Sequence, residues 1–202
     1  MLKSNNMKQL LLVIFVLFQF AGSSQTGEYN FSHLVMEVKG DLNKDNLADK
    51  VVVTQDTLHE NAPYRLQIFF KKPDGQWKLA VTSTKIIVPQ YPEGRSGFMS
   101  QNELYDVTIK DGVLTLPVQF LRGNAKHKFR FQNGNFELIG YSSVLGGNGK
   151  SEVTDFNLST GIRTIKVERQ DSDKVISSKE EKILIRPLPK LQDLVPFEGK
   201  YY

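Results

Sequence analysis

Residues 126–139 read KHKFRFQNGNFELI, and this stretch decides the fold class. Apolar and polar side chains alternate on both sides of the dipeptide Asn133-Gly134, with Phe129 and Phe131 at alternate positions before it. A period of two is typical of a strand with one buried face. Asn-Gly is the pair that best suits the tight two-residue turn of a β-hairpin. The stretch therefore predicts two antiparallel strands joined by a short turn.

The same pattern occurs three more times, with alternating runs on either side of a turn sequence: 64–70 with 77–81, 106–109 with 113–116, and 155–158 with 162–167. No segment keeps a helical period over three turns. Residues 179–185 come nearest, but they read equally well as a strand. Pro117 cannot donate a ladder hydrogen bond, so it predicts an edge strand or a bulge. We predict an all-β, mainly antiparallel fold, a hairpin meander of about eight to ten strands that forms a sandwich or an open barrel.

Four segments break the alternation. Residues 55–62, 89–102 and 144–151 are predicted to be irregular, the last because it is rich in glycine. Loops 89–102 and 144–151 are the predicted contact regions, since loops on a rigid sheet carry most binding. Residues 187–197 are apolar but interrupted by prolines. They predict an extended segment lying on the sheet and not a central strand.

The N-terminus has the layout of a secretory signal peptide over residues 1–24. Lys3 and Lys8 precede an apolar run over residues 10–20, and small residues follow it at 21–24. The run is short for a membrane span, which needs about 20 residues, although an uncleaved N-terminal anchor is the alternative. Residues 25–202 then form a single β-rich domain with no stable membrane span after cleavage.

Composition limits the classes of partner and the sources of stability. Removing Lys3 and Lys8 with the signal peptide lowers the net charge from +4 to +2, which leaves no strong attraction for nucleic acid. The chain has no cysteine, so neither a disulfide framework nor a lipid anchor on cysteine is possible. Stability has to come from an apolar core, with a bound metal ion as a further contribution.

A calcium-type spacing of oxygen side chains lies between two apolar runs near the start of the domain. In DLNKDNLAD, Asp41, Asn43, Asp45 and Asp49 occupy positions 1, 3, 5 and 9 of a short loop, and the carbonyl of Leu47 stands at position 7. Ca²⁺ takes six to eight oxygen ligands of these kinds. The spacing predicts a Ca²⁺ site in which water supplies the remaining ligands. The alternative is a solvated turn, since Asp and Asn favour turns without any ion.

Two details indicate which kind of calcium loop this is. Position 6 needs a left-handed backbone, and Asn46 tolerates that conformation better than any residue except glycine. Val52 stands where a helix–loop–helix calcium hand has an acidic residue. Residues 34–38 and 51–53, which flank the loop, read as strands. The prediction is a strand–loop–strand site.

Residues 40–53 resemble the loop of FG-GAP and VCBS-type repeats, which carry G-D-x-N-x-D-G-x-x-D before an apolar strand. Asn46 replaces the last glycine of that pattern. The resemblance implies Ca²⁺ binding in an extracellular protein, but it covers only a small part of the chain. The whole chain is also similar to small secreted proteins of Gram-negative bacteria. That likeness implies a periplasmic or surface location and implies no reaction.

Other patterns in the sequence give weaker evidence for a function. Residues 147–151 read GNGKS but lack the first glycine and the helix of a phosphate loop. The three histidines are isolated in the sequence, and no catalytic residue is identifiable. Lys126, Lys128 and Arg130 share one strand face, which indicates either a patch for an acidic partner or an ordinary solvent face.

These observations favour a secreted, non-enzymatic β protein in which Ca²⁺ is mainly structural. It would act as a binding or interaction module for another protein or for an envelope polymer. One alternative is a hydrolase of envelope carbohydrate or peptide that uses unidentified carboxylates. Another is an inhibitor or a structural subunit within an envelope complex.

Overall fold

The computed structural model of this protein describes residues 28–98, 107–172 and 174–199. The predicted signal peptide lies outside these residues. The described ranges contain eleven strands and no helix, and so no helix that could cross a membrane. The strands are β1 (His33–Gly40), β2 (Asp49–Gln55), β3 (Tyr64–Lys71), β4 (Trp77–Ser83), β5 (Thr108–Lys110), β6 (Val113–Phe120), β7 (Gly123–Gln132), β8 (Asn135–Gly147), β9 (Lys150–Asn157), β10 (Ile162–Arg169) and β11 (Val175–Lys182).

The strands form two antiparallel sheets in which each strand pairs with its neighbours in sequence. The four-stranded sheet has the order β1-β2-β3-β4, and the seven-stranded sheet has the order β11-β10-β9-β8-β7-β6-β5. The predicted all-β antiparallel meander is confirmed, and the two sheets are consistent with a sandwich. All four predicted hairpins are present, as β3–β4, β5–β6, β7–β8 and β9–β10.

Three connections, β5–β6, β7–β8 and β8–β9, turn through two residues with positive φ. The pairs are Asp111-Gly112 (53° and 74°), Asn133-Gly134 (52° and 74°) and Asn148-Gly149 (52° and 73°). Two positive φ values define the type I′ turn, whose twist matches that of paired strands. The third turn lies inside residues 144–151, so the prediction of an irregular loop there is wrong. β8 and β9 continue through that segment because each pairs with the other up to Gly147 and Lys150.

Two ambiguous segments are resolved as strands. Residues 175–182 form β11, so the helical candidate over 179–185 is a strand up to Lys182.

Pro117 lies in β6 and faces Lys126 of β7. On its other side β5 pairs only as far as Thr115, so within the described residues Pro117 stands at an open edge, as predicted.

The C-terminal segment, residues 183–199, lies against the start of β8. The N–H of Leu138 donates to the carbonyl of Pro189 at 2.8 Å, and the N–H of Leu191 donates to the carbonyl of Phe136 at 2.9 Å. β9 pairs with β8 only from Gly140 onward, which leaves residues 136–138 available for these bonds. Three leucines of the segment are buried: Leu188, Leu191 and Leu194. The predicted placement on the sheet outside a central strand is confirmed, but the segment is not extended throughout, since it turns at residues 191–193 and 196–197.

Aromatic side chains join the two sheets into one core. Phe70 of β3 packs against Phe131 of β7 and Phe136 of β8, with ring centroids 4.9 and 5.9 Å away. The sheets also approach each other at one corner, between Gly40 at the end of β1 and Ile109 of β5. A Cβ on Gly40 would lie 2.5 Å from Cγ2 of Ile109, so only glycine allows this approach.

An imidazole ring is buried in the core. His127 of β7 is 1% exposed and packs against the rings of Tyr141 and Phe197. Burial lowers the pKa of His127 to about 4. In the unfolded chain the imidazole of His127 therefore takes up a proton near pH 6.5, whereas in the folded chain it is protonated only near pH 4. Stability that is present at neutral pH is lost as the pH falls through this window.

As the pH falls from about 8 to about 5, we expect protonation of His127 in the unfolded chain to lower the free energy of unfolding by about 2 kcal/mol. Carboxylates titrate in the same range. The contribution of His127 is therefore measured by urea unfolding, as the difference between the pH dependence of the wild type and that of His127→Gln. His59→Gln is the control, because His59 is exposed. Equal pH dependence of all three proteins would contradict the prediction.

Candidate metal site

The loop of residues 41–48 connects β1 to β2 at the corner where the two sheets meet. Gly40 and Asp49 form the last pair of the β1–β2 ladder, so the loop leaves and re-enters the sheet at adjacent positions. The turn between β5 and β6 stands against it. A Cβ on Gly112 would lie 3.2 Å from Cε of Lys44 and 3.9 Å from the carbonyl oxygen of Asp41. The predicted strand–loop–strand arrangement is present.

The carboxylate of Asp41 organises the loop by accepting three backbone N–H groups. Oδ1 accepts from Lys44 at 2.6 Å and from Asp45 at 3.2 Å, and Oδ2 accepts from Asn46 at 2.9 Å. The backbone can curl in this way because Lys44 and Asn46 are left-handed, with φ of 64° and 67°. Asn46 thus adopts the conformation expected at position 6, where glycine is more usual.

Asn43 and Asp45 lie next to Asp41 on the exposed side of the loop. Oδ1 of Asn43 accepts the N–H of Asp45 at 3.2 Å, and its Nδ2 donates to Oδ2 of Asp45 at 2.8 Å. Oδ1 of Asp45 accepts the N–H of Leu47 at 2.8 Å. The structure therefore brings together the side chains at positions 1, 3 and 5.

Asp49 is directed into the protein and is fully buried. Its Oδ2 accepts the N–H of Leu42 at 2.8 Å, and its Oδ1 accepts the N–H of Lys71 at 2.9 Å. Burial raises the pKa of Asp49, although these N–H groups act in the opposite direction. The carboxylate thus connects the loop, the start of β2 and the end of β3.

This structural role of Asp49 was not predicted, and the signal for it was present in the alternation of β2. Asp49, Val51 and Val53 occupy alternate positions and are all buried. A carboxylate in phase with buried valines has to find hydrogen-bond donors inside the protein, because an unpaired buried charge is costly.

The donor set fits a hard divalent cation such as Ca²⁺. Each carboxylate oxygen has about two lone pairs, so the backbone bonds leave Oδ2 of Asp41 and both oxygens of Asp45 able to accept again. Within the described residues, no three side chains of the His, Cys, Asp and Glu types stand close enough to hold a metal ion. A cation here would therefore depend on the amide oxygen of Asn43, on carbonyl oxygen such as that of Leu47, and on water as well.

The predicted contact region over residues 89–102 is described up to residue 98. It lies beside the segment at 55–62, because the N–H of Gln90 donates to Ala62 and the N–H of Tyr91 donates to Asn61. Asp56 anchors that segment by accepting the N–H groups of Asn30, Leu58 and His59. Burial raises the pKa of Asp56, but these N–H groups outweigh it and hold the pKa below the ordinary value.

Comparison with protein-family models, with curated proteins and with solved structures found no match to this chain.

Proposed function

We propose that this chain is a secreted or periplasmic calcium-binding β protein that acts as a non-enzymatic binding or interaction module. Asp41, Asn43, Asp45, Asp49 and the carbonyl of Leu47 are the proposed metal ligands. One observation carries the proposal. Oxygen side chains at the spacing of a calcium loop lie in a loop that curls around Asp41 with a left-handed residue at position 6.

A mainly structural role for Ca²⁺ follows from where the loop lies. It joins two strands of one sheet and touches a turn of the other sheet through Lys44 and Gly112. Asp41 and Asp45 bring two negative charges together on its exposed side. A bound cation would remove their repulsion and hold the corner of the sandwich in one conformation.

The location and the kind of partner rest on the sequence. A signal peptide delivers the domain to a calcium-rich compartment, where a weak site with a Kd of about 10⁻⁴–10⁻³ M is still filled. A net charge of +2 after cleavage does not favour nucleic acid. The partner is accordingly another protein or an envelope polymer.

Calcium is expected to bind the chain that lacks residues 1–24 and to stabilise it. At a free Ca²⁺ concentration about 100 times Kd, the free energy of unfolding should rise by about 2.7 kcal/mol. Calorimetric titration measures the binding, and thermal melts in Ca²⁺ and in chelator measure the stabilisation. Asp45→Ala should abolish both effects, because it removes a ligand that lies on the exposed side of the loop.

Asp74→Ala is the matched control for this experiment. Asp74 is an exposed aspartate in the β3–β4 turn, where it accepts the N–H of Gln76, and it lies outside the loop. The control should bind Ca²⁺ as the wild type does. If the wild type gives no heat and no shift of the melting temperature up to several millimolar Ca²⁺, the calcium proposal is wrong.

A further inference from the structure

The outer face of the seven-stranded sheet carries a groove that is separate from the metal loop. It has two contiguous parts, of about 250 and 390 Å³, and both are lined by Arg130 of β7 and by Ser159 after β9. Lys128, Asp155 and Asn157 line the smaller part. Such a depression is large enough for one or two sugar units but too shallow to enclose a large apolar ligand.

The fold forms the groove by leaving space at one position and by building a wall at another. Gly140 of β8 faces Lys128 on one side and Asn157 on the other, and it contributes no side chain to the floor. The C-terminal segment supplies the wall through Arg186. Its guanidinium donates to the carbonyls of Leu158 at 3.0 Å and Ser159 at 2.7 Å, which holds the wall against the end of β9.

Arg130 is a half-buried cation with an unpaired donor nitrogen. Its Nε is buried and makes no hydrogen bond, and Arg130 belongs to none of the ion pairs found within the described ranges. Glu137 lies directly opposite it in the β7–β8 register. The Oε2 of Glu137 instead accepts Nε2 of Gln132 at 2.7 Å. A buried donor without an acceptor costs free energy, and an anionic ligand in the groove would offset that cost by pairing with the charge of the guanidinium.

The groups around Arg130 indicate what kind of anion fits. Lys128 adds a second positive charge on the same strand face. Asp155, Glu137 and Ser159 add carboxylate and hydroxyl oxygens, which accept hydrogen bonds from hydroxyl groups. The two carboxylates would repel a bare polyanion. A ligand with one acidic group and several hydroxyls can pair with the two cations and also donate hydrogen bonds to these oxygens.

We propose that this groove binds an acidic sugar unit of an envelope glycan. The acidic group of the sugar pairs with Arg130 and Lys128, and its hydroxyls donate to Asp155, Glu137 and Ser159. The inference rests on the proposed function for the role of the protein as a binding module, but it does not depend on calcium. It also selects a polysaccharide over a protein partner.

The test is a ligand titration that is monitored by the NMR chemical shifts of the backbone amides. Trigalacturonate and glucose 6-phosphate are the acidic probes, and maltotriose is the neutral probe. The two acidic probes distinguish a carboxylate from a phosphate as the recognised group. At least one acidic probe should shift the amides of residues 128–130, 140 and 155–159 and bind about tenfold more tightly than maltotriose. Arg130→Gln should weaken that binding about tenfold.

Lys126→Gln is the matched control, because Lys126 lies on the same strand face but lines neither part of the groove. It should bind as the wild type does. Titrations in Ca²⁺ and in chelator, and on Asp45→Ala, separate this proposal from the calcium site. No binding of either acidic probe, equal binding of maltotriose, or equal losses in Arg130→Gln and Lys126→Gln would overturn the proposal.

Discussion

Phe136→Ala is expected to lower the free energy of unfolding by about 4 kcal/mol. Phe136 is 1% exposed, and its ring lies between Phe70 of the four-stranded sheet and Phe131 of β7, at centroid distances of 5.9 and 5.2 Å. Truncation removes the buried ring and leaves a cavity where the sheets meet. The surrounding strands are held by their ladders, so they can fill that cavity only in part.

Urea unfolding monitored by circular dichroism measures this loss. Phe98→Ala is the control, because Phe98 is fully exposed, at 105%, and its truncation should change stability by no more than about 0.5 kcal/mol. A loss below about 1 kcal/mol in Phe136→Ala would show that this ring does not join the two sheets.

Asp49→Ala is expected to cost about 3 kcal/mol in chelator and more in Ca²⁺, where a proposed ligand is lost as well. The substitution leaves the buried N–H group of Leu42 and the partly buried N–H group of Lys71 without their acceptor. Hydrogen bonds to a charged group are stronger than neutral ones, and each unsatisfied buried donor adds a desolvation penalty. Asp49→Asn should cost less, since its amide oxygen can still accept one of the two N–H groups.

Parallel urea titrations in Ca²⁺ and in chelator distinguish the structural role of Asp49 from a role as a metal ligand. In chelator, Asp49→Ala should still lose most of the 3 kcal/mol. Asp45→Ala should lose less than about 1 kcal/mol there, because its hydrogen bonds are exposed. If the loss in Asp49→Ala disappears in chelator, then Asp49 acts only through the ion.

The hairpins could be predicted because their determinants are local. Asn133-Gly134 and Asp111-Gly112 supply two positive φ values within two residues, and the alternating runs beside them need only their immediate partners. The prediction from local sequence was wrong at residues 144–151, where an irregular loop was expected. Glycines at 146 and 147 lower the intrinsic strand preference of that segment, whereas pairing with β7 and β9 overrides it.

The arrangement of three of the four candidate side-chain ligands could be predicted for the same reason. The side chains of Asp41, Asn43 and Asp45 act within a few residues of themselves, so their spacing specifies their arrangement. Asp49 also bonds to the N–H of Lys71, 22 residues away. That partner depends on how β3 pairs with β2, which the loop sequence does not contain.

The sequence by itself determined most of the strand pattern, the tight turns at Asp111-Gly112 and Asn133-Gly134 and the curl of the loop around Asp41, because each depends on residues adjacent in the chain. Only the tertiary structure decided the corner at Gly40 and Ile109, the burial of His127 and the unpaired Nε donor of Arg130. The physical reason is that close packing, desolvation and the choice of hydrogen-bond partner act between residues that are distant in sequence. They are specified only when the sheets and the C-terminal segment are in place.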